Sequence, residues 1–312
     1  MNTNLKWKKI GQILNPAGQF DWVSTHGMLP VVDHIKDDLF RVYFSGRDEN
    51  NISKTGFVEI DINNPLEVLH LSSTPVLDIG ELGSFDDNGV SPTCMVNHEN
   101  KKYFYFMGWN KGSKVRAAEV SGLALSTDNG ATFARYSRAP IIDRTDKEPY
   151  TILVISCIII ENGIWRMWYD SADYWINEEL PRYNIKYAES TDGIHWTREG
   201  IVSVDYKSDD ETRVSRASII KEDGIYKMWY CYAIGTGGYK MGYGESNDGI
   251  KFQRLDDKVG IELSESGWDS EMICYPNVFQ HKNNIYMLYS GNGYGREGFG
   301  IAILNKHEHH DK

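Results

Sequence analysis

Trp168-Tyr169 is one of five hydrophobic-aromatic pairs that recur along this chain of 312 residues. The other four are Tyr43-Phe44, Tyr105-Phe106, Trp229-Tyr230 and Leu288-Tyr289, and the successive steps are 62, 63, 61 and 59 residues. Repeats of this length use nearly the whole chain, and each has strand-like content. Such a period is typical of a radial array of four-stranded sheets. The sequence therefore predicts an all-β fold, namely a five-bladed β-propeller with four-stranded antiparallel blades.

Each repeat has the same internal order. An apolar, β-branched run such as Ser156-Cys157-Ile158-Ile159-Ile160 predicts the inner strand, and a polar turn such as Glu161-Asn162-Gly163 predicts the hairpin after it. The aromatic pair ends the second strand, and the third strand ends in a turn such as Ser190-Thr191-Asp192-Gly193. This turn and those at Ser126 and Ser246 resemble the Asp-box of sialidases. We expect their aspartates to cap backbone amides and to be structural, not catalytic.

The two ends of the chain indicate how the ring closes. Residues Trp7 to Trp22 resemble the outer strand and exit loop of later repeats, whereas the last repeat stops after its third strand, Phe299 to Leu304. We expect the amino terminus to supply the fourth strand of the last blade, which would pair edges otherwise open to aggregation. The unbroken repeat predicts one propeller domain over residues 1–305, followed by a disordered tail at 306–312.

Composition is typical of a globular protein and excludes several functions. A hydrophobic fraction of 41% allows a sizeable core, and the net charge of −11 disfavours nucleic acid as a partner. The absence of a long apolar run predicts no membrane association, and no signal-like start appears, so we expect a cytoplasmic protein. The four cysteines lie in different repeats and suggest buried thiols, not disulfides. We expect a monomer or weak homo-oligomer.

Function in a propeller is expected at one mouth of the central channel. Antiparallel order brings the start of every inner strand and the loop after every second strand to the same face. Polar and aromatic side chains at these places suit a sugar, because rings stack on aromatic faces and hydroxyls take hydrogen bonds. The predicted substrate-binding residues are His26, Arg47, Asp48, Trp109, Asp170, Tyr174, Arg213, Arg216, Tyr232, Tyr275, Asn292 and Arg296.

Over nearly its whole length the chain resembles the five-bladed propeller glycoside hydrolases, the superfamily of arabinanases, β-xylosidases, invertases, levansucrases and mannoside phosphorylases. The repeat, the segments Phe85 to Pro92 and Trp268 to Glu271, and the turn from Ser190 to Trp196 carry the resemblance. It implies a carboxylate near the start of the inner strand in each of the first three blades, acting as base or nucleophile, transition-state stabiliser and general acid.

The chain follows that pattern incompletely. The second blade offers Asp87, and the third offers Glu148 or Asp170, but Thr25 and His26 stand where the first acid is expected, with Asp48 nearby. Asp21, Asp86 and Asp269 follow aromatic residues at matching places, which favours a repeated role in the scaffold. For a hydrolase, the predicted catalytic residues are Asp87 as base or nucleophile, and Glu211 or Glu271 as proton donor.

Two alternatives to hydrolysis remain open at this point. Arg47, Arg213, Arg216 and His26 could hold a phosphate, which resembles how mannoside phosphorylases replace water with an anion. The protein could also be a glycan-binding propeller without catalysis, although rim residues that differ between repeats favour a single central site. The expected partner is a small saccharide or glycoside. The sequence predicts no cofactor and no metal, since the calcium that some relatives hold has no supporting motif here.

Overall fold

The chain is built almost entirely of β-strands in the computed structural model, which describes residues 5–305. The tail at 306–312, with its predicted disorder, lies outside the described residues. Helical turns in the described part are confined to α1 (Asn292–Gly295) and a 3₁₀ turn at Asp256–Lys258. None of the helices there has the length and apolar character needed to cross a bilayer. The prediction of an all-β fold is confirmed.

The strands of residues 5–305 pair as five sets of four. Within each set, the first strand pairs with the second, the second with the third and the third with the fourth, always antiparallel. In order of pairing, set 1 contains β2 (Thr25–Lys36), β3 (Leu39–Arg47), β4 (Ser53–Asp61) and β5 (Val68–Leu71), and set 2 contains β6 (Gly89–His98), β7 (Lys101–Lys111), β8 (Ala117–Ser126) and β9 (Ala134–Arg135). Set 3 contains β10 (Ile152–Glu161), β11 (Ile164–Trp175), β12 (Pro181–Ser190) and β13 (Thr197–Val204), and set 4 contains β14 (Glu211–Glu222), β15 (Ile225–Ile234), β16 (Lys240–Ser246) and β17 (Gln253–Arg254). Set 5 contains β18 (Cys274–His281), β19 (Asn284–Ser290), β20 (Phe299–Leu304) and the amino-terminal strand β1 (Trp7–Leu14).

Neighbouring sets are joined near the beginnings of their first strands. Short parallel contacts link β4 to β6, β8 to β10 and β12 to β14. Set 5 has no such ladder with its neighbours in the described chain and is held by side chains instead. The backbone N–H of Val278 donates to Ser218 Oγ at 2.7 Å, and that of Val32 donates to Asn277 Oδ1 at 2.9 Å.

The recurring aromatic pairs form the core between sets. All ten of their side chains are 0% exposed. Tyr43 lies 5.0 Å from Phe104 of the next set, and Phe44 lies 5.8 Å from Phe299 of set 5, measured between ring centroids. Burial of such large rings supplies much of the stabilising free energy, so the repeat that predicts the fold also holds the sets together.

The turns with the Ser-x-Asp pattern connect one set to the preceding one. In the third set, Asp192 Oδ1 accepts hydrogen bonds from the backbone N–H groups of Ile194 and His195, both at 2.8 Å. Gly193 adopts φ +74°, which favours glycine, and its carbonyl accepts the Tyr105 hydroxyl at 2.8 Å. The equivalent turn at Gly249 accepts the Trp168 indole N–H at 2.9 Å.

A buried acid at or just before the start of the first strand pairs with a base on the fourth strand in sets 2 to 5. The four pairs, with their shortest nitrogen–oxygen distances, are Asp86–Arg135 (2.7 Å), Glu148–Arg198 (2.8 Å), Glu211–Arg254 (2.5 Å) and Asp269–Lys9 (2.7 Å). Each acid is less than 5% exposed. These four ion pairs, the scaffold pairs, hold the loop that precedes each set against the outer strand of that set.

The amino-terminal strand belongs to set 5. β1 pairs antiparallel with β20, from Trp7 opposite Leu304 to Leu14 opposite Phe299. Lys9 supplies the base of the scaffold pair with Asp269, and the Trp7 ring lies edge-on to Trp229 at 5.4 Å. Both ends of the described chain therefore meet in one sheet.

Candidate active site

One cavity of about 300 Å³ collects side chains from all five sets. It lies where the first strands begin, the second strands end and the third strands begin. Its lining includes four arginines, two carboxylates and four tyrosines. These polar and aromatic residues are Arg47, Arg116, Arg213, Arg216, Glu119, Asp170, Tyr183, Tyr239, Tyr275 and Tyr294, with His26, Thr93 and Ser215 beside them.

A bulge in the first strand of each set turns one side chain toward this region. The register shifts surround Leu29, Thr93, Ser156, Arg216 and Tyr275. All of these except Ser156 line the cavity. Leu29, Arg216 and Tyr275 have φ between +55° and +59°, a left-handed conformation that costs free energy for residues other than glycine. Bulges and backbone strain of this kind concentrate at functional sites.

Asp170 is the most perturbed carboxylate of the cavity. Its side chain is buried and accepts hydrogen bonds from Ser156 Oγ and from the backbone N–H of Arg216, both at 3.1 Å. Burial raises the pKa of Asp170 to about 7, although the Arg216 charge and these hydrogen bonds oppose the rise. The negative charge of Glu119 adds to the rise. Asp170 is therefore partly protonated near neutral pH and can donate a proton.

His26 remains neutral at pH 7. Burial, and then the charges of Arg47 and Arg296, lower the pKa of its imidazole to about 4. Its Nδ1 lies 2.8 Å from Thr25 Oγ1. Its φ of +62° shows that a strained backbone holds it in place. A neutral imidazole in this position can donate or accept a hydrogen bond but adds no charge to the cavity.

Three arginines of the cavity have buried nitrogen atoms without a partner. Arg47 Nη1 donates to Asn51 Oδ1 at 2.7 Å, and Arg213 Nη2 donates to the Gly237 carbonyl. The Nε atoms of both residues, and Nη1 of Arg216, have no hydrogen-bond partner among the described residues. Burial lowers the pKa of Arg47 and of Arg216.

Tyrosine rings form the aromatic part of the lining. Tyr239 lies 5.7 Å from Tyr275 and 5.8 Å from Tyr294, measured between ring centroids. Its hydroxyl also contacts that of Tyr183. Burial raises the pKa of Tyr183, Tyr239 and Tyr275, so all three are uncharged phenols at neutral pH. Such rings offer faces on which a sugar can stack.

Half of the twelve predicted substrate-binding residues line the cavity. They are His26, Arg47, Asp170, Arg213, Arg216 and Tyr275.

The other six predicted substrate-binding residues are outside the lining and have local partners. Asp48 caps the backbone N–H groups of Asn50 and Ile52, and Trp109 donates to Ser53 Oγ. Tyr174 accepts from Arg182, and the ring of Tyr232 lies 5.2 Å from the Arg254 guanidinium. Asn292 accepts from the backbone of Glu271 and Met272, while Arg296 is exposed and acts on His26 through its charge.

The three predicted catalytic acids also lie outside the lining. Asp87 Oδ2 accepts the backbone N–H of Gly83 at 2.8 Å within its own loop. Glu211 is the set 4 member of the scaffold pairs, where Arg254 holds both of its oxygens. Glu271 is exposed. The carboxylates that the structure brings to the cavity are instead Asp170 and Glu119.

Glu119, Arg116, Tyr183 and Tyr239 were not among the predicted residues. Glu119 and Tyr183 lie at the start of third strands, and Arg116 and Tyr239 directly precede such strands. Third strands begin at the same face where second strands end. The alternation of strand direction within the repeat is therefore sufficient to predict that these residues lie near the cavity. A second sequence signal indicates Asp170, because it is the single acid among the residues that directly follow the aromatic pairs. These residues are Ser45, Met107, Asp170, Cys231 and Ser290.

The lining does not suit a calcium ion. The four arginines repel a cation, and two carboxylates supply fewer oxygens than calcium requires. Within residues 5–305, no group of three or more His, Cys, Asp or Glu side chains is placed to hold a metal.

Comparisons with known sequences give two relatives without an assigned activity. No family model matches the chain. "Uncharacterized protein MT1551" and "Uncharacterized protein Rv1502", from two strains of Mycobacterium tuberculosis, are each 38% identical over 302 residues. The match covers 96% of this chain and 99% of each relative.

Three solved structures with a similar fold are glycoside hydrolases. A putative glycoside hydrolase from Bacteroides ovatus has a TM-score of 0.68 at 16% identity, covering 98% of this chain and 94% of that chain. A thermostable family-43 glycoside hydrolase has a TM-score of 0.66 at 15% identity, covering 92% and 90%. A mutant Bombyx mori GH32 beta-fructofuranosidase in complex with sucrose has a TM-score of 0.62 at 14% identity, covering 93% and 62%. At such identities the likeness shows the fold alone.

Proposed function

The chain belongs to the same family as the two uncharacterized mycobacterial proteins and has the fold of the propeller glycoside hydrolases; from this premise we propose that it is a glycoside hydrolase acting on a small saccharide. The observation that carries the proposal is Asp170, a buried carboxylic acid with a pKa of about 7, in a cavity that also contains Glu119. Two carboxyl groups in different environments are what acid–base cleavage of a glycosidic bond requires.

The architecture that we propose around this site is a single propeller domain. The five sets of strands are its blades, and β1 closes the ring by completing the fifth blade. The pairing of β1 with β20 and the cavity shared by all five sets support this arrangement.

In this mechanism Asp170 is the general acid. Its proton is retained near neutral pH because burial disfavours the carboxylate, and it is donated to the oxygen of the leaving group as the glycosidic bond breaks. Ser156 Oγ and the Arg216 N–H then stabilise the carboxylate that forms.

Glu119 is the second carboxylate of the mechanism. It acts either as the base that takes a proton from the water attacking the anomeric carbon, or as the nucleophile that attacks this carbon and is then displaced by water. Its side chain is 22% exposed and lies 3.7 Å from Arg116, measured from Oε1 to Nη2. Arg116 is therefore its charged neighbour in the cavity. In this mechanism Asp170 supplies the proton, and Glu119 is the carboxyl group that acts on the other side of the reaction.

The test is turnover of a panel of nitrophenyl glycosides and manno-oligosaccharides, measured with and without inorganic phosphate. We expect Asp170→Asn and Glu119→Gln each to lower kcat by roughly 10²- to 10⁴-fold on the best substrate. The exposed residues Asp146 and Glu199 provide matched controls, Asp146→Asn and Glu199→Gln, for which we expect wild-type rates.

The same experiment decides between this assignment and the one that the sequence predicts. Loss of turnover in Asp87→Asn or Glu271→Gln, with full activity in Asp170→Asn, would contradict the role of Asp170 as the general acid. Binding of a saccharide without any turnover by the wild type would identify a glycan-binding protein instead.

A further inference from the structure

The cavity contains more positive charge than the scaffold can neutralise. Arg47, Arg213 and Arg216 have no carboxylate at ion-pairing distance among the described residues, in contrast to Arg135, Arg198 and Arg254 of the scaffold pairs. Within the described chain, Arg116 is the only lining arginine with such a contact, to Glu119. This local excess of positive charge contrasts with the net charge of −11 of the protein as a whole.

Unpartnered donors accompany this charge. Arg216 is 6% exposed, yet its Nη1 has no hydrogen-bond partner within residues 5–305. The Nε atoms of Arg47 and Arg213 are equally buried and unpartnered. A buried charged donor without an acceptor is unfavourable by more than a neutral one. Three such donors around one cavity indicate an acceptor that arrives with the ligand.

The acceptor shares the cavity with a ring-sized apolar surface. The guanidinium carbon of Arg216 lies 5.9 Å from the centroid of the Tyr275 ring, over its face. The guanidinium carbon of Arg213 lies 5.2 Å from the centroid of the Tyr239 ring in the same way. A planar guanidinium fixed on a ring face presents its N–H groups edge-on, which suits an oxyanion. Tyr294 also lines the cavity and is partly exposed, so its ring is available to a sugar attached to that oxyanion.

We propose that the saccharide bound in this cavity carries an acidic group, a carboxylate or a phosphate ester, which is held by Arg47, Arg213 and Arg216. This assignment rests on the proposed function for the identity of the ligand as a saccharide. It adds that neutral sugars are poor ligands, since their hydroxyl groups bring no negative charge to these arginines.

The experiment measures binding, so it does not depend on turnover. Calorimetric titration of the full chain compares D-glucuronate, D-galacturonate and glucose 6-phosphate with glucose and galactose, and includes inorganic phosphate as a separate titrant. We expect at least one acidic sugar to bind about tenfold or more tightly than its neutral counterpart, with an affinity that falls as salt is added.

The arginine variants locate the binding. Arg213→Gln and Arg216→Gln are expected to weaken the acidic sugar by about tenfold or more, and Arg216→Lys to recover only part of the loss because lysine lacks the planar fork. Arg138→Gln, at an exposed arginine outside the cavity, is the matched control and should bind like the wild type. Thermal melting of each variant verifies that it is folded.

Equal affinity for acidic and neutral sugars, or affinity for acidic sugars that survives the arginine variants, would overturn the proposal. Binding of inorganic phosphate without preference for any acidic sugar would also overturn it and assign the arginines to a free anion. Tight, arginine-dependent binding in a protein that hydrolyses nothing would leave the proposal intact and refute the proposed function alone.

Discussion

Asp170 couples the stability of the protein to pH. Its pKa is raised to about 7 in the folded chain, compared with about 4 for an unfolded aspartate. Between these values the folded state retains a proton that the unfolded state has lost, so stability falls as pH rises from about 4 to 7. In Asp170→Asn this contribution is removed. We expect the variant to melt several degrees or more above the wild type at pH 8, with a smaller difference at pH 4.

His26 contributes with the opposite sign and has to be separated from Asp170. Its pKa is lowered to about 4, so below about 6.5 the unfolded chain binds a proton that the folded chain excludes, and stability falls as pH decreases. Because the two contributions oppose each other in the wild type, His26→Gln alone should steepen the fall in stability from pH 4 to 7, and Asp170→Asn alone should reverse it. An unchanged melting profile for Asp170→Asn would show that its carboxyl group is ionised throughout.

The candidate site could be predicted from sequence only at positions whose place in the strand order is determined by the repeat. Arg213, Arg216 and His26 occupy the starts of first strands, and the alternation of strand directions places these starts at one face. Whether an acid at such a start faces the cavity or the fourth strand of its own set depends on a partner elsewhere in the repeat. Glu211 turns to Arg254, which lies 43 residues later in sequence, and no local pattern reveals that choice.

At the scale of the strands, the scaffold pairs recur from set to set as the aromatic pairs do. Glu148 accepts from Tyr169 and Ser171 at 2.8 Å through one oxygen and from Arg198 at 2.8 Å through the other. Glu148→Gln leaves the Arg198 guanidinium, 9% exposed, without its countercharge. We expect a loss of about 3 kcal/mol in the free energy of unfolding, measured by urea denaturation.

The control for this prediction is an ion pair of the same chemistry at the surface. Glu199 pairs with Lys147, and both side chains are 58% exposed. Glu199→Gln should change the free energy of unfolding by less than about 1 kcal/mol. A similar loss in both variants would mean that the buried pair contributes no more than a solvated one.

At the scale of the whole molecule, the fold was more predictable than the site because it depends on many equivalent positions. Five aromatic pairs, each fully buried, indicate the same strand in every repeat, so one atypical member such as Leu288 does not obscure the period. The cavity depends on positions at which the repeats differ, where each residue is a single observation. Positions that recur in every repeat therefore specify the scaffold. The residues of the cavity each occur once, which limits what the sequence can predict about the chemistry of the site.

The amino-terminal strand should control the stability of the whole assembly. β1 is the only partner of the outer edge of β20 in the described chain, and Trp7 is 6% exposed against set 4. Deleting residues 1–14 removes this strand and exposes Trp229. It also removes Lys9, so the buried carboxylate of Asp269 loses its ion-pair partner. We expect the deleted protein to unfold many degrees earlier on heating, or to aggregate through the edge of β20 that it exposes.

Deletion of residues 306–312 is the matched truncation at the other end and should leave the melting temperature within about 1 °C of the wild type. The single variant Lys9→Met retains the strand and removes only the countercharge, so its loss should be intermediate. If the amino-terminal deletion melted like the full chain, β1 would be dispensable for the stability of the fold.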